Sequence, residues 1–226
     1  MPLRRRRDGA GGDRCQRALL ELSAERGYAA VTTGAVIERA GIDSREWQGL
    51  YRDLEDCACE LLLALREDFV REVTAAAFQH QTWREQIRAA AYSILDYFLA
   101  DYPRAHFLLI DVAAAGDRAV LIRDQGMDAM ITLIDLGRGE LEDPGAVGRS
   151  TAEGIAGAVY DRMRRIVAAG SDPDEARRMV PEMMYAVVLP YLGEEAAMEE
   201  LQAPAPLRPT TGVVDRPQGQ PFGQAV

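Results

Sequence analysis

The chain has 226 residues, 48% of them hydrophobic, and a net charge of −10. That length supports one or two domains around a buried core, and no apolar run approaches the ~18–20 residues that a membrane span requires. Met1 to Gly12 holds four arginines with no apolar stretch behind them, so it does not read as a secretory leader, and a cytoplasmic protein is expected.

The acidity is unevenly spread. Residues 1–60 contain 10 Arg against 11 acidic residues, so nearly all of the net negative charge belongs to the remainder. All 26 basic residues are Arg, the side chain best suited to bidentate contacts with bases and phosphates. Arg4-Arg5-Arg6-Arg7 is the densest cationic run, and residues 1–12 read as a disordered basic arm in which Arg5 and Arg6 can follow phosphates or enter a minor groove. Cys15, Cys57 and Cys59 are odd in number, as expected of thiols in a reducing compartment. Cys57 and Cys59 form only a C-x-C pair without further ligands nearby, so no metal site and no cofactor are expected.

Residues 13–53 predict two short helices and a turn, packed by a third. Cys15, Ala18, Leu19 and Leu22 make an i, i+3, i+4, i+7 stripe over Asp13–Arg26, which stops at Gly27. Thr32 or Thr33 caps a second helix to Ala40, with Val36, Ile37 and Ala40 inward, and Gly41 makes the tight turn. Asp43 caps a third helix, Ser44–Leu50, with Glu46 as its capping-box partner. Ser44, Arg45 and Gln48 then face outward, while Trp47, Leu50 and Tyr51 face the neighbouring helices. This is the layout of a helix-turn-helix DNA reader, with Thr32, Thr33, Ser44, Arg45, Gln48 and Arg52 as its DNA-binding residues.

From Leu54 the pattern stays helical nearly to residue 201, with no alternating strand-like run, giving an all-α protein of about nine helices. Leu54, Ala58, Leu61, Leu62, Leu65 and Phe69 form the stripe of a fourth helix ending near Ala77. Thr82-Trp83-Arg84-Glu85 opens a fifth that reaches about Ala100. Pro103 fits the first turn of a sixth helix ending near Gly116, and a seventh runs from about Arg118 to Leu136. After a Gly- and Pro-containing loop over 137–148, Ser150 or Thr151 caps an eighth helix to Ala169. Gly170-Ser171-Asp172-Pro173 stops and restarts the chain into a ninth that reaches about Tyr191. Residues 202–226 are rich in Pro, Gly and Gln and predict a disordered tail.

The run Leu20 to Tyr28, the turn Glu38-Arg39-Ala40-Gly41-Ile42 and the segment Tyr51 to Cys57 resemble the tetracycline-repressor-like (TetR) family of transcriptional regulators. The match covers about forty-five residues without a gap, and Met179 to Leu192 resembles the last helix of some members. Three positions depart from the family pattern: Gln48 stands where members commonly carry a phosphate-contacting Tyr, Asp43 where they often carry Ser, and Leu54 where Lys is frequent. Gly49 inside the third helix costs roughly 1 kcal/mol relative to Ala.

The resemblance implies an N-terminal DNA-binding head over 13–53 and an all-α regulatory, ligand-binding and dimerisation domain over 54–201. It also implies an inducer pocket among helices five to seven, for which Tyr92, Phe98, His106, Phe107, Met127 and Met130 are the candidate lining residues. Aromatic and thioether walls suit a hydrophobic or amphipathic small molecule. Small residues around Gly154 and Gly157 in helix eight, with Met183 and Val187 in helix nine, form the expected interface of a homodimer. The function expected is a ligand-responsive regulator, a repressor released from a palindromic operator. The alternative is a dimer of the same frame that binds a ligand or a protein without specific DNA binding. No phosphate-cradling Gly loop, nucleophile elbow or metal-spaced His pair points to an enzyme.

Overall fold

The computed structural model describes residues 9–206, so Arg5, Arg6 and the tail beyond 206 lie outside the described residues. Among the described residues there are ten α-helical segments and no strand: α1 Ala10–Arg26, α2 Thr33–Ala40, α3 Ser44–Leu50, α4 Leu54–Ala77, α5 Trp83–Ala100, α6 Tyr102–His106, α7 Asp117–Asp135, α8 Arg149–Ala169, α9 Pro173–Arg178 and α10 Val180–Glu200. Two compact units are present. Among the described residues, the first comprises 9–67 with 101–125, and the second 68–100 with 126–206.

In the first unit the expected helices form, and their ends are set by the residues that predict them. Gly27, at φ +77°, ends α1, and Gly41 is left-handed at φ +62° after α2, conformations that a Cβ disfavours. Helix α1 begins three residues before the expected Asp13, because Gly9 O accepts from Gly12 N at 2.8 Å and Asp13 N at 3.3 Å. Gly11 faces α3, where a Cβ would meet the tip of the exposed Glu46 side chain and stand 3.4 Å from Leu50 Cδ1.

The core of this unit joins Cys15, Leu19 and Leu22 of α1 to Val36, Trp47 and Tyr51, to Cys57, Leu61 and Leu62 of α4, and to Phe107, Val112, Ala115 and Ala119. Residues well beyond the helix-turn-helix therefore complete its hydrophobic core. The chain over 102–115 is not one regular helix. After α6, capped by Asp101 accepting from Arg104 N at 3.1 Å, it makes a π-helical turn over Phe107–Asp111 and a 3₁₀ turn over Val112–Ala115, ending at Gly116 with φ +106°. A π turn places one extra residue per turn, and here Phe107, Leu109, Asp111 and Val112 are all buried.

The second unit packs Trp83, Ile87, Tyr92 and Tyr97 of α5 with buried residues of α8 and α10, among them Ala152, Ala156, Met163, Met184, Val188 and Tyr191. The Thr82 capping box forms as expected, with Thr82 N donating to Glu85 Oε2 at 3.4 Å and Glu85 N to Thr82 Oγ1 at 3.3 Å. Neither Ser150 nor Thr151 caps α8. Gly148 holds the N-cap position without a side-chain bond, and both residues lie within the helix. The expected ninth helix is divided at Met179, where φ −86° and ψ −13° end α9. Its second part, α10, continues past Tyr191 to Glu200 through a break at Gly193, φ +78°.

Candidate nucleic-acid interface

Helix α3 is fixed from one side only. Asp43 Oδ1 accepts from Glu46 N at 2.8 Å and so caps its first turn. Trp47 and Tyr51 are buried, with ring centroids 5.0 Å apart, and the Tyr51 hydroxyl donates to Gly12 O at 3.4 Å. Burial pushes the Tyr51 hydroxyl well above its ordinary pKa, which keeps it a donor. With that face occupied, the 3.6-residue repeat turns Ser44, Arg45 and Gln48 away from the core, and all three are exposed.

The capping box expected at this helix is only half made. The Glu46 carboxylate pairs with Arg14 of α1 at 3.3 Å instead of reaching back to Asp43. An acid of the exposed helix is thereby matched by a cation of α1. Arg39 of α2 is likewise turned to α1, where its two guanidinium nitrogens meet Glu25 at 2.8 and 2.9 Å and one also meets Glu21 at 3.3 Å.

The other expected DNA-binding residues fall in three environments. Thr32 is exposed and caps α2, its Oγ1 accepting from Ala35 N at 3.2 Å, while Thr33 is half-buried. Arg52 is exposed in the turn between α3 and α4 and donates from Nη2 to Asp56 Oδ1 at 3.0 Å. Asp56 is buried, and Arg118 Nη1 lies 3.6 Å from the same oxygen.

The six expected effector residues do not share one setting. Phe107 is fully buried in the core of the first unit, 6.0 Å from the Tyr28 ring. His106 Nδ1 is 2.9 Å from Asp111 Oδ2, and Asp111 Oδ1 accepts from Tyr28 N at 3.2 Å, so this buried carboxylate ties the π turn to the exit of α1. In the second unit Tyr92 is buried beneath the Arg177 guanidinium at 4.9 Å, and Phe98 packs against Phe69 and Tyr97. Met127 and Met130 are half-buried on α7. An open depression of about 420 Å³ in this unit is lined by Thr132, Asp135, Leu136, Arg138, Gly139 and Pro144, none of them among the six.

Sequence reasoning assigned no role to Asp111 or Arg118. The signal for Asp111 is a lone acid within the apolar run Phe107 to Val112, since a buried carboxylate needs partners. Nothing local marks Arg118.

On α8, Gly154 and Gly157 are exposed, with open space where a Cβ would stand. On α10, Met183 is half-buried and Val187 is buried within its own chain, whereas Ala186 and Leu189 are exposed beside it. The three cysteines are free and buried, and burial pushes the Cys57 thiol up. No group of metal-ligating side chains occurs among the described residues, and no helix among them is long and apolar enough to cross a membrane.

No family model matches the sequence, and no curated protein matches it. Solved structures do match. The fatty acid degradation regulator FadR from Bacillus halodurans superposes with a TM-score of 0.70 at 14% identity, over 80% of this chain and 96% of that one. FadR from Bacillus subtilis in complex with stearoyl-CoA gives 0.65 at 14% identity, over 80% and 98%. A regulatory protein of the tetR family from Rhodococcus RHA1 gives 0.65 at 16% identity, over 79% and 97%. The chain has the all-α fold of TetR-like transcriptional regulators.

Proposed function

We propose that this protein is a ligand-responsive transcriptional regulator that binds double-stranded operator DNA as a homodimer. The observation that carries the reading is α3, where Asp43, Trp47 and Tyr51 hold the helix and leave Ser44, Arg45 and Gln48 exposed together. Arg45 is suited to the O6/N7 edge of guanine and Gln48 to the N6/N7 edge of adenine, while Ser44 at the helix start contacts phosphate. A single short helix reads few base pairs. Two heads placed about 34–36 Å apart by two-fold symmetry read a palindrome, and the exposed Gly154 and Gly157 give α8 a face on which a second copy can approach.

The effector in this reading is a hydrophobic or amphipathic small molecule whose binding releases the protein from its operator. The stearoyl-CoA held by the similarly folded Bacillus subtilis FadR is a molecule of that class. Such a regulator acts in the cytoplasm and is not an enzyme.

Sequence selection from random duplexes with the wild type, Arg45→Ala and Gln48→Ala tests the reading. The wild type is expected to select a palindrome, and each variant to lose about 1–3 kcal/mol of discrimination at one or two positions per half-site, with thermal melting unchanged. Identical selection by all three proteins overturns the assignment of α3. If the wild type selects nothing at low salt, the DNA-binding reading itself falls.

A further inference from the structure

Arg52 and Arg118 have all of α4, α5 and α6 and the π turn between them in sequence, yet both address Asp56 Oδ1, at 3.0 and 3.6 Å. The other carboxylate oxygen accepts from the Arg52 backbone N at 3.3 Å. Asp56 therefore grips both the main chain and the side chain of Arg52. The Asp56 side chain is 9% exposed, whereas those of Arg52 and Arg118 are 65% and 51% exposed. One anchored, nearly buried anion thus presents two cations to solvent. The neighbouring acid Asp53 is committed to the start of α4, its Oδ1 accepting from Asp56 N at 2.7 Å. Burial alone raises the Asp56 carboxyl, but the Arg52 hydrogen bonds and the charges of both arginines outweigh it and hold the group below its ordinary value.

A guanidinium has five N–H donors in a planar fork, and Asp56 uses only part of that of Arg52. The remainder is held in place on an exposed turn directly after α3. Resting on the DNA-binding reading above, the geometry points to Asp56 as the positioning residue for Arg52 at a DNA phosphate, with Arg118 as the second cation that keeps Asp56 from cancelling the charge of Arg52. Preorganisation of this kind improves binding by lowering the ordering cost of a long side chain.

Positioning and bulk charge predict opposite signs. Replacing Asp56 by Asn removes a negative charge from a DNA-facing surface, so on net charge alone affinity for a polyanion rises. If Asp56 positions Arg52, affinity falls instead.

The experiment measures binding of full-length wild type, Asp56→Asn, Arg52→Ala, Arg118→Gln and the pairwise doubles to the selected duplex across a salt series. Asp56→Asn is expected to weaken binding by about fivefold, an effect of the size that ordered surface ion pairs have. It should also flatten the log–log salt slope toward that of Arg52→Ala, which loses about 0.9 for one phosphate contact. In the Arg52→Ala background, Asp56→Asn should no longer weaken binding, and only the small rise from the lost negative charge remains. Arg118→Gln should weaken binding about twofold, and much less once Asp56 is Asn.

Unchanged or tighter binding by Asp56→Asn overturns the inference. So does an equal loss on top of Arg52→Ala, which would mark damage to the fold. Arg118→Gln acting fully in the Asp56→Asn background removes Arg118 from the arrangement. A wild type that binds duplex while Arg52→Ala matches it leaves the DNA reading standing and sinks the inference alone, whereas a wild type that binds no duplex sinks the DNA reading.

Discussion

The two units bury carboxylates in different company. In the first, Asp56 and Asp111 each accept from a main-chain N–H, that of Arg52 and that of Tyr28, and only then meet a side chain. In the second, Glu200 has no exposed side-chain surface and is met by two arginines, Arg84 and Arg88 of α5. A backbone donor is fixed by the fold around it and does not titrate. An arginine partner brings full charge, and the pair holds only while both members are present and ionised. The first arrangement fixes chain geometry around the exposed helix α3, and the second locks one end of α10 to the start of α5.

The largest effect that would break this contrast is expected at Glu200. Glu200→Gln leaves two arginines, each about one-fifth exposed, facing a neutral amide, and should cost about 3 kcal/mol, the lower end for a broken buried pair. The pH dependence follows from the direction of the shift. Burial raises the Glu200 carboxyl, but hydrogen bonds from Arg88 and Arg84 and their charges bring it below its ordinary value of 4.5. Its contribution is therefore present above about pH 4.5 and is lost as pH falls through the depressed folded value. Denaturant melts of wild type and Glu200→Gln should converge on acidification, and a constant gap at all pH values would show that charge is not what holds this end of α10.

A smaller effect sharpens the other side. Asp111→Ala leaves the Tyr28 N–H buried without its acceptor and should cost about 2 kcal/mol, while Asp111→Asn, which keeps a carbonyl oxygen at the same place, should recover most of that. Equal losses for the two variants would mean that the backbone bond contributes little and that the His106 contact is what matters.

The smallest effect lies where neither device operates. Gly49 is exposed on α3, and a Cβ there meets nothing within 4 Å. Gly49→Ala should stabilise the protein by about 1 kcal/mol or less, read as a small rise in melting temperature. A loss of stability would show that α3 needs its glycine.

The features legible in the sequence are those whose partners lie within a turn. Thr32, Gly41 and Asp43 set the ends of α2 and α3 through bonds to residues three or four positions away, and the Trp47 and Tyr51 face follows from helical repeat. The features that escaped notice have distant partners: Glu46 turns from its own cap to Arg14, 32 residues back, and Asp111 reaches Tyr28 across 83. Helical periodicity cannot signal such pairs, and it favoured a regular sixth helix because Phe107 to Val112 is apolar enough to pack in either register. Small residues are hard to read for the same reason. Gly11 reads as a flexible lead-in until the side chains of Glu46 and Leu50 are seen lying over it.

The π turn at Phe107–Asp111 makes this part of the chain more sensitive to length than to side-chain identity. Each residue of an α-helix advances the direction of its side chain by roughly 100°. The π turn already carries one residue more than an α-turn, so a further insertion ahead of Asp111 finds no slack, and every side chain beyond it would swing by about that angle. Asp111 would leave the Tyr28 N–H, and Val112 and Ala115 would turn out of the core that they share with Leu19 and Trp47. An apolar exchange at Leu108 or Ile110 disturbs only its own contacts. Substitutions are tolerated here where a further insertion is not, and the spacing from Pro103 to Gly116 is what keeps this stretch of the core in register.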